Sequence, residues 1–297
     1  MTESACSACG TPGLLPHLRV RGDAGDQGLI PTTDAFGTAL GDIVRCRGCG
    51  HMQLDHFPSE DRLLGLYEDA ASEDYLEEAE GQRLTARIAL GRIERHVPGG
   101  RLLDLGCWVG FLLAEARDRG WETTGVEPSG WAAAYARDAL GLDVREEDLF
   151  SADLPVGAFD AIVLGDVIEH LVDPAAALDR VAQLLAPGGV VHLVLPDAGS
   201  RLARWMGARW WSVIPTHVQY FTRGSLRTLL ERRGFEPLHV ATAPKVFTVG
   251  YYLERVGGYS PPVARGLVAA ATATGVAGHA WGPDFRDRMA VTARRQV

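Results

Sequence analysis

The sequence predicts an α/β protein: a seven-stranded, mostly parallel sheet with helices on both faces, plus a small N-terminal cysteine module. Three observations carry that expectation. Strand-like and helix-like segments alternate along most of the chain after residue 100. The stretch "LLDLGCWVGFLL", residues 102–113, runs from an apolar strand through two glycines into a helix. Two Cys-x-x-Cys pairs, Cys6 with Cys9 and Cys46 with Cys49, stand near the start. Alternating strands and helices imply a parallel sheet covered on both faces, and such sheets bind ligands at the carboxyl ends of their strands.

A length of 297 residues allows one large domain and a small appendage. The expected division is a zinc module over 1–58, a helical connector over 59–97 and the main domain over 98–297, with inserted segments at about 199–222 and 245–283. Two Cys-x-x-Cys pairs can set four thiolates tetrahedrally around one ion, and soft sulfur favours zinc. A glycine follows each pair, Gly10 and Gly50, and lets the backbone turn tightly under the metal. Four sulfurs leave no open coordination position, so this zinc is expected to be structural. Disulfides or unrelated thiols are the alternatives, and disulfides rarely persist in a cytosol. The fifth cysteine, Cys107, reads as a small core residue.

In chain order, "EAEGQRLTARIALGRIERHV" has amphipathic spacing and reads as a helix stopped by "PGG". "RLLDLG" is a strand, "FLLAEARDRG" a helix, "WETTGVEP" a strand and "GWAAAYARDALG" a helix. "DVREEDL" is a short strand, "FDAIVLGDV" a longer one, "PAAALDRVAQLLAPGG" a helix and "VVHLVLP" the fifth strand. "SLRTLLERRGF" is a helix leading into the strand "EPLHVATA", and "RMAVTARR" reads as an antiparallel last strand. The insertion at 245–283 reads as helical and is placed to act as a lid.

Asp104, Glu127, Asp148, Asp166 and Asp197 all fall at or just beyond strand ends, so one rim of the sheet is expected to be acidic. The formal net charge of −9 argues against a broad basic face, and nucleic acid is not an expected partner. The first twenty residues lack the basic start and apolar run of a secretory signal, and no run of 18 apolar residues appears. The expectation is a cytoplasmic protein without a membrane partner.

The loop spacing is Gly106, three residues, Gly110, with Trp108 where a dinucleotide fold would place its middle glycine. Few basic residues stand nearby. This suits a nucleoside ligand that carries positive charge and no phosphate. Here the chain resembles the class I methyltransferases that use S-adenosylmethionine, over about 98–297, and the resemblance implies a Rossmann-like sheet. It implies that Asp104 and the Gly106–Gly110 backbone hold the methionine end, Glu127 the ribose hydroxyls, and Asp148 the adenine amino group with Leu149 beside it. Gly165 and Asp166 would lie close to the sulfonium. Trp108 departs from the pattern; its indole either walls the cavity or simply packs.

The segment "GDVIEHLVDP" resembles the ubiquinone-biosynthesis O-methyltransferases. The cysteine pairs with "LYEDAASEDYL" and "THVQYFTRGSLRTLLERRGF" resemble zinc-ribbon methyltransferases of bacterial natural-product and sugar pathways, some of which methylate carbon. The implied partner is a small-molecule acceptor. His217 and His170 are the candidate bases, because imidazole titrates near working pH, and Glu169 could orient one of them. Asp166, Glu169 and His170 stand at i, i+3 and i+4 and would share a face if that turn were helical. With His217 they resemble the metal site of small-RNA terminal methyltransferases; a catalytic divalent ion is weighed here but not favoured. Two alternatives stand beside the small-molecule enzyme: an RNA methyltransferase gripping RNA through the zinc module, and a non-catalytic module that only binds cofactor.

Overall fold

The fold is that of a computed structural model, which describes residues 5–20, 36–68 and 70–296. Residues 1–4 and 21–35 of the expected 1–58 module lie outside the described residues. The chain opens with three short strands, β1 (Leu15–Leu18), β2 (Ile43–Arg45) and β3 (Met52–Leu54), paired antiparallel. Helices α1 (Glu60–Glu68), α2 (Asp74–Glu77) and α3 (Ala79–Ile93) follow. The alternating part holds β4 (Arg101–Leu105), α4 (Phe111–Asp118), β5 (Glu122–Val126), α5 (Gly130–Asp138), β6 (Val144–Arg145), β7 (Phe159–Gly165), α6 (Pro174–Leu184) and β8 (Leu185–Pro196). Beyond it lie α7 (Arg201–Met206), β9 (Gln219–Tyr220), α8 (Arg223–Arg232) and β10 (Phe235–Thr242). The last elements are β11 (Phe247–Thr248), α9 (Val249–Arg255), α10 (Pro261–Ala273), β12 (Ala280–Trp281) and β13 (Arg288–Arg295).

The large sheet has seven strands in the order β10-β13-β8-β7-β4-β5-β6. Only β13 runs against its neighbours, as expected for the last strand. Successive side chains of a strand point to opposite faces. Leu103 and Leu105 of β4, Ile162 and Leu164 of β7, and Val191 and Leu193 of β8 therefore build one core. Leu102, Ala161, Val163 and Val190 build the other, against α3 and α4. Burial of both faces explains why these strands read as continuous apolar runs.

Helix starts follow local chemistry. Asp173 accepts hydrogen bonds from the N–H groups of Ala175 and Ala176, and Pro174 takes the first helical position of α6. Thr222 and Ser225 form a capping box at α8. Ser129 caps α5 and donates its hydroxyl proton to the carbonyl of Ala70, tying that helix to the segment before α2.

Two features depart from the sequence reading. Strand β8 starts at Leu185 rather than Val190, with a register shift against β7 between Phe159 and Ala161 where Gly188 has φ 80°. The small sheet has a fourth strand, β9, contributed from residues 219–220, so the cysteine segment is completed by residues far along the chain. Cys6, Ala8 and Cys46 belong to the same core as Leu105 and Leu193.

The 245–283 segment holds α9 and α10 and closes on itself through the β11–β12 pair. It is pinned to α3. A side chain on Gly81 would collide with the carbonyl of Val246, and the Glu78 carboxylate accepts both the N–H and the hydroxyl of Thr248 at 2.6 Å. Among the described residues, no helix is long and apolar enough to cross a membrane.

Candidate active site

A cavity of about 950 Å³ opens at the carboxyl ends of β4, β5, β6 and β7 and is roofed by segments around 244–259 and 281–288. That volume lies at the upper end of what small-molecule sites occupy. It sits where β4 and β7 adjoin, the point at which the strand order reverses. Gly106, Trp108, Glu127, Asp148, Leu149, Gly165, Asp166, His170 and His217 line it. Asp104, Gly110, Glu169 and Asp197 are not among its lining residues. The Asp197 carboxylate instead accepts from the Gly199 N–H and from Arg223 Nε, both at 2.9 Å.

The glycine loop is shaped by left-handed backbone. Gly106 has φ 75° and Gly110 φ 81°. A Cβ on Gly106 would stand 2.6 Å from Val167, and one on Gly110 2.6 Å from Leu142. Trp108 shares this conformation at φ 48°, unusual for a bulky residue. Its N–H donates to Glu127 Oε2 at 2.8 Å. The ring packs edge-on to Tyr75 and tilted on Trp131, with centroids 6.1 and 5.6 Å away, and it also borders the cavity. Both readings of the indole hold together. Its Nε1 is buried with no hydrogen-bond partner.

Glu127 is 3% exposed and accepts from Trp108 N–H on one oxygen and from Ser129 N–H, at 2.9 Å, on the other. Burial raises its carboxyl to about 7 despite those donors. Burial, with the charge of Glu127, raises Asp104 to about 7 as well. Asp148 behaves differently. Burial opposes its ionisation, but the Ser151 hydroxyl and the N–H groups of Phe150 and Ser151 outweigh that and hold it below its ordinary value.

Asp166 directly follows β7 with φ 57°, and Ile168–His170 forms a single 3-10 turn. The helical face that would join Asp166 to Glu169 and His170 is therefore not made. Asp166 turns to two cations instead: Lys245 Nζ at 2.6 Å on one oxygen and Arg288 on the other. Burial alone would raise this carboxyl, but the charges of Arg288 and Lys245 hold it far below the carboxylate range. Sequence reasoning missed both cations. A signal was present for one of them, since Lys245 is the only lysine in the 297 residues.

Glu169, His170 and His217 come together, with potential ligand atoms within 4.8 Å of one another. The imidazole rings meet with centroids 4.6 Å apart at 70°. Nδ1 of His170 donates to the Thr216 carbonyl at 2.9 Å and Nδ1 of His217 to the Ser212 carbonyl at 2.8 Å. These bonds fix the tautomer, so Nε2 carries the lone pair in both rings. Burial lowers His170 to about 4 and lowers His217 well below its ordinary value. Both are neutral at pH 7. Burial, with the Asp166 charge, raises Glu169 to about 8, and both of its oxygens are buried without a hydrogen-bond partner among the described residues.

The four N-terminal cysteines form a second cluster. Cys6 and Cys49 sulfurs lie 3.6 Å apart and those of Cys9 and Cys46 3.5 Å apart, and none is in a disulfide. A tetrahedron with metal–sulfur bonds of about 2.3 Å has edges of about 3.8 Å, so the set fits one zinc ion with little adjustment. Gly10 and Gly50 adopt φ 74° and 75° and donate their N–H groups to the Cys6 and Cys46 carbonyls, the tight turns that the glycine spacing implied.

The methyltransferase domain family matches residues 75–240, more than half of the chain. A ubiquinone biosynthesis O-methyltransferase of Alkalilimnicola ehrlichii is 39% identical over 101 residues, covering 31% of this chain and 40% of that protein. The C-methyltransferase NovU of Streptomyces niveus is 28% identical over 230 residues, covering 74% of this chain and 50% of that protein. The chain thus spans about half or less of the length of these curated relatives. Among solved structures, 1,6-didemethyltoxoflavin-N1-methyltransferase of Burkholderia thailandensis, with 1,6-didemethyltoxoflavin and S-adenosylhomocysteine bound, aligns at a TM-score of 0.52 and 17% identity. The alignment covers 85% of this chain and 97% of that one, a likeness of fold.

Proposed function

The chain belongs to the methyltransferase domain family, and from that premise we propose that it is a class I enzyme that moves a methyl group from S-adenosylmethionine to a hydroxyl or carbon of a small-molecule acceptor, a sugar or natural-product intermediate. The observation that carries this reading is one cavity bounded at one end by the glycine loop, Glu127 and Asp148, and at the other by His170 and His217. When bound, S-adenosylmethionine supplies a methyl carbon activated by its sulfonium.

Glu127 accepts from the ribose hydroxyls. Each carboxylate oxygen has two acceptor positions, and the backbone donors use only one on each. Asp104 and the Gly106–Gly110 turn hold the methionine end, Asp148 and Leu149 the adenine end, and Gly165 leaves room at the strand end beside Asp166. At the acceptor end, His217 Nε2 takes the acceptor's proton, with the ring held by Ser212, while His170 packs against it and orients it. Lys245 and Arg288 share one carboxylate, Asp166, on a wall that also carries Asp287. The N–H donors of these two cations suit an acceptor oxygen that develops negative charge. The four-cysteine set holds structural zinc. The acidic balance disfavours RNA as substrate.

A second reading is favoured by one observation, the unpartnered Glu169 carboxylate beside two neutral imidazoles. Two histidines and a carboxylate suit a divalent ion that would hold an acceptor oxygen. Asp166 is not part of that set, because Lys245 and Arg288 occupy it.

The test is incubation with methyl-labelled cofactor and a panel of activated sugars and phenolic intermediates, read by mass spectrometry. Transfer to one of them is expected. Tight binding of S-adenosylhomocysteine with no transfer to any panel member, to water or to RNA would leave the chain a cofactor-binding module.

A further inference from the structure

We propose that Gln219 is a positioning residue that locks the His170–His217 pair to both cysteine turns, so that the module sets the geometry of the acceptor end rather than standing apart from it. This rests on the reading of that pair as the acceptor end of the site.

The Gln219 side chain is 1% exposed and lies where four segments meet. Its Oε1 accepts from His51 Nε2 at 2.8 Å. His51 lies two residues beyond Cys49, and its carbonyl accepts from the Cys46 N–H at 2.8 Å, so it belongs to the second cysteine turn. Gln219 Nε2 faces the Ser7 hydroxyl at 3.4 Å, between Cys6 and Cys9 in the first turn. The same Nε2 donates to the carbonyls of Leu171 and Val172, each at 3.1 Å. Those carbonyls directly follow His170, and Gln219 itself stands two residues after His217. One amide therefore touches both cysteine turns and both histidine segments.

The backbone repeats the connection. Gln53 pairs with Gln219 across the β3–β9 ladder, and Leu54 N–H donates to the Val218 carbonyl at 3.1 Å. Val218 N–H in turn donates to the Glu169 carbonyl at 3.0 Å. Gln53 Oε1 accepts from Ser7 N–H at 2.8 Å, which fixes the first turn to the same strand. A buried amide with all of its groups paired specifies one arrangement, because any shift strands a polar group away from water. The glycine loop, Glu127 and Asp148 follow β4, β5 and β6, and none of them is a hydrogen-bond partner of the Gln219 amide. Disturbing Gln219 should loosen the histidines and leave the cofactor end intact.

The experiment compares wild type with Gln219→Met, which keeps the volume and removes the amide, and with His51→Phe, which removes the donor from the module side. Long-range nitrogen–proton spectra of the His170 and His217 rings are recorded, together with cofactor affinity, kcat and melting temperature. Displaced ring signals in both variants are expected, with kcat lower by about 10²-fold for Gln219→Met, as a misplacement of about 1 Å can cause. Affinity for S-adenosylhomocysteine should stay within about twofold, because the amide bonds none of the residues assigned to the cofactor. If Gln219→Met fails to fold, His51→Phe decides. Unchanged ring signals in whichever variant folds would overturn the proposal. Ring signals that shift in a protein whose wild type transfers no methyl group would sustain the coupling and defeat the proposed reaction instead.

Discussion

The rings of His170 and His217 meet at 4.6 Å with each Nδ1 turned onto a backbone carbonyl, so the basic nitrogen of both is Nε2. This separates three mechanisms in one variant. As the general base, His217→Ala should lower turnover by about 10²–10⁴-fold and leave cofactor affinity nearly intact. As a metal ligand, it should behave like His170→Ala, and a chelator should abolish activity until a divalent ion is restored. Near-normal turnover in a folded variant would remove His217 from the chemistry and shift the base role to His170.

Glu127 makes cofactor affinity depend on pH. Burial raises its carboxyl to about 7, so below that value the protonated form prevails in the empty cavity and has lost acceptor capacity. Affinity for S-adenosylhomocysteine should rise as pH goes from about 6 to about 8, as the carboxyl with its raised value deprotonates. Glu127→Ala should weaken binding by about 1.5–3 kcal/mol, the range for hydrogen bonds to charged groups, and reduce the pH dependence to what buried Asp104 contributes. Calorimetry on both proteins checks this; equal affinities would remove Glu127 from the ribose site.

Lys245 is the only lysine, so its chemistry can be read without interference from other side chains. Lys245→Met should leave Asp166 paired with Arg288 alone and remove one cationic donor from the wall. The expected outcome is a raised KM for the acceptor with little change in cofactor affinity. If cofactor affinity falls and the acceptor KM does not, the cation serves the cofactor carboxylate instead.

Zinc should copurify at about one ion per chain, since four thiolates complete one tetrahedral site. Elemental analysis of freshly purified, reduced protein measures this. Absence of zinc with Cys6, Cys9, Cys46 and Cys49 all reduced would defeat the assignment.

The parallel sheet was legible because its strands are buried on both faces, and the strand ends at Asp104, Glu127 and Gly165 were legible because each directly follows an apolar residue. Periodicity carries no such signal for β9, which is two residues long, and so the partner of the cysteine module stayed hidden. The i, i+3, i+4 spacing of Asp166, Glu169 and His170 suggested a shared face, yet that inference assumes helical backbone, and Asp166 at φ 57° breaks it. Its partners Lys245 and Arg288 arrive from distant segments that only tertiary packing brings together.

Trp108 holds two opposed effects whose magnitudes decide the outcome of Trp108→Gly. Glycine would relieve the left-handed backbone at φ 48°, worth about 1–2 kcal/mol for an L-residue. Removing the ring would empty its contacts with Tyr75 and Trp131, and truncating a packed tryptophan costs about 3–5 kcal/mol. The packing loss is larger, so the variant should be less stable by about 1–4 kcal/mol in denaturant titration, although it restores the common loop sequence. The backbone N–H at 108 survives the change and can still donate to Glu127, so cofactor affinity should fall less than in Glu127→Ala. A variant as stable as wild type would mean that the indole is not packed as described. An affinity loss equal to that of Glu127→Ala would mean that the ring itself contacts the cofactor.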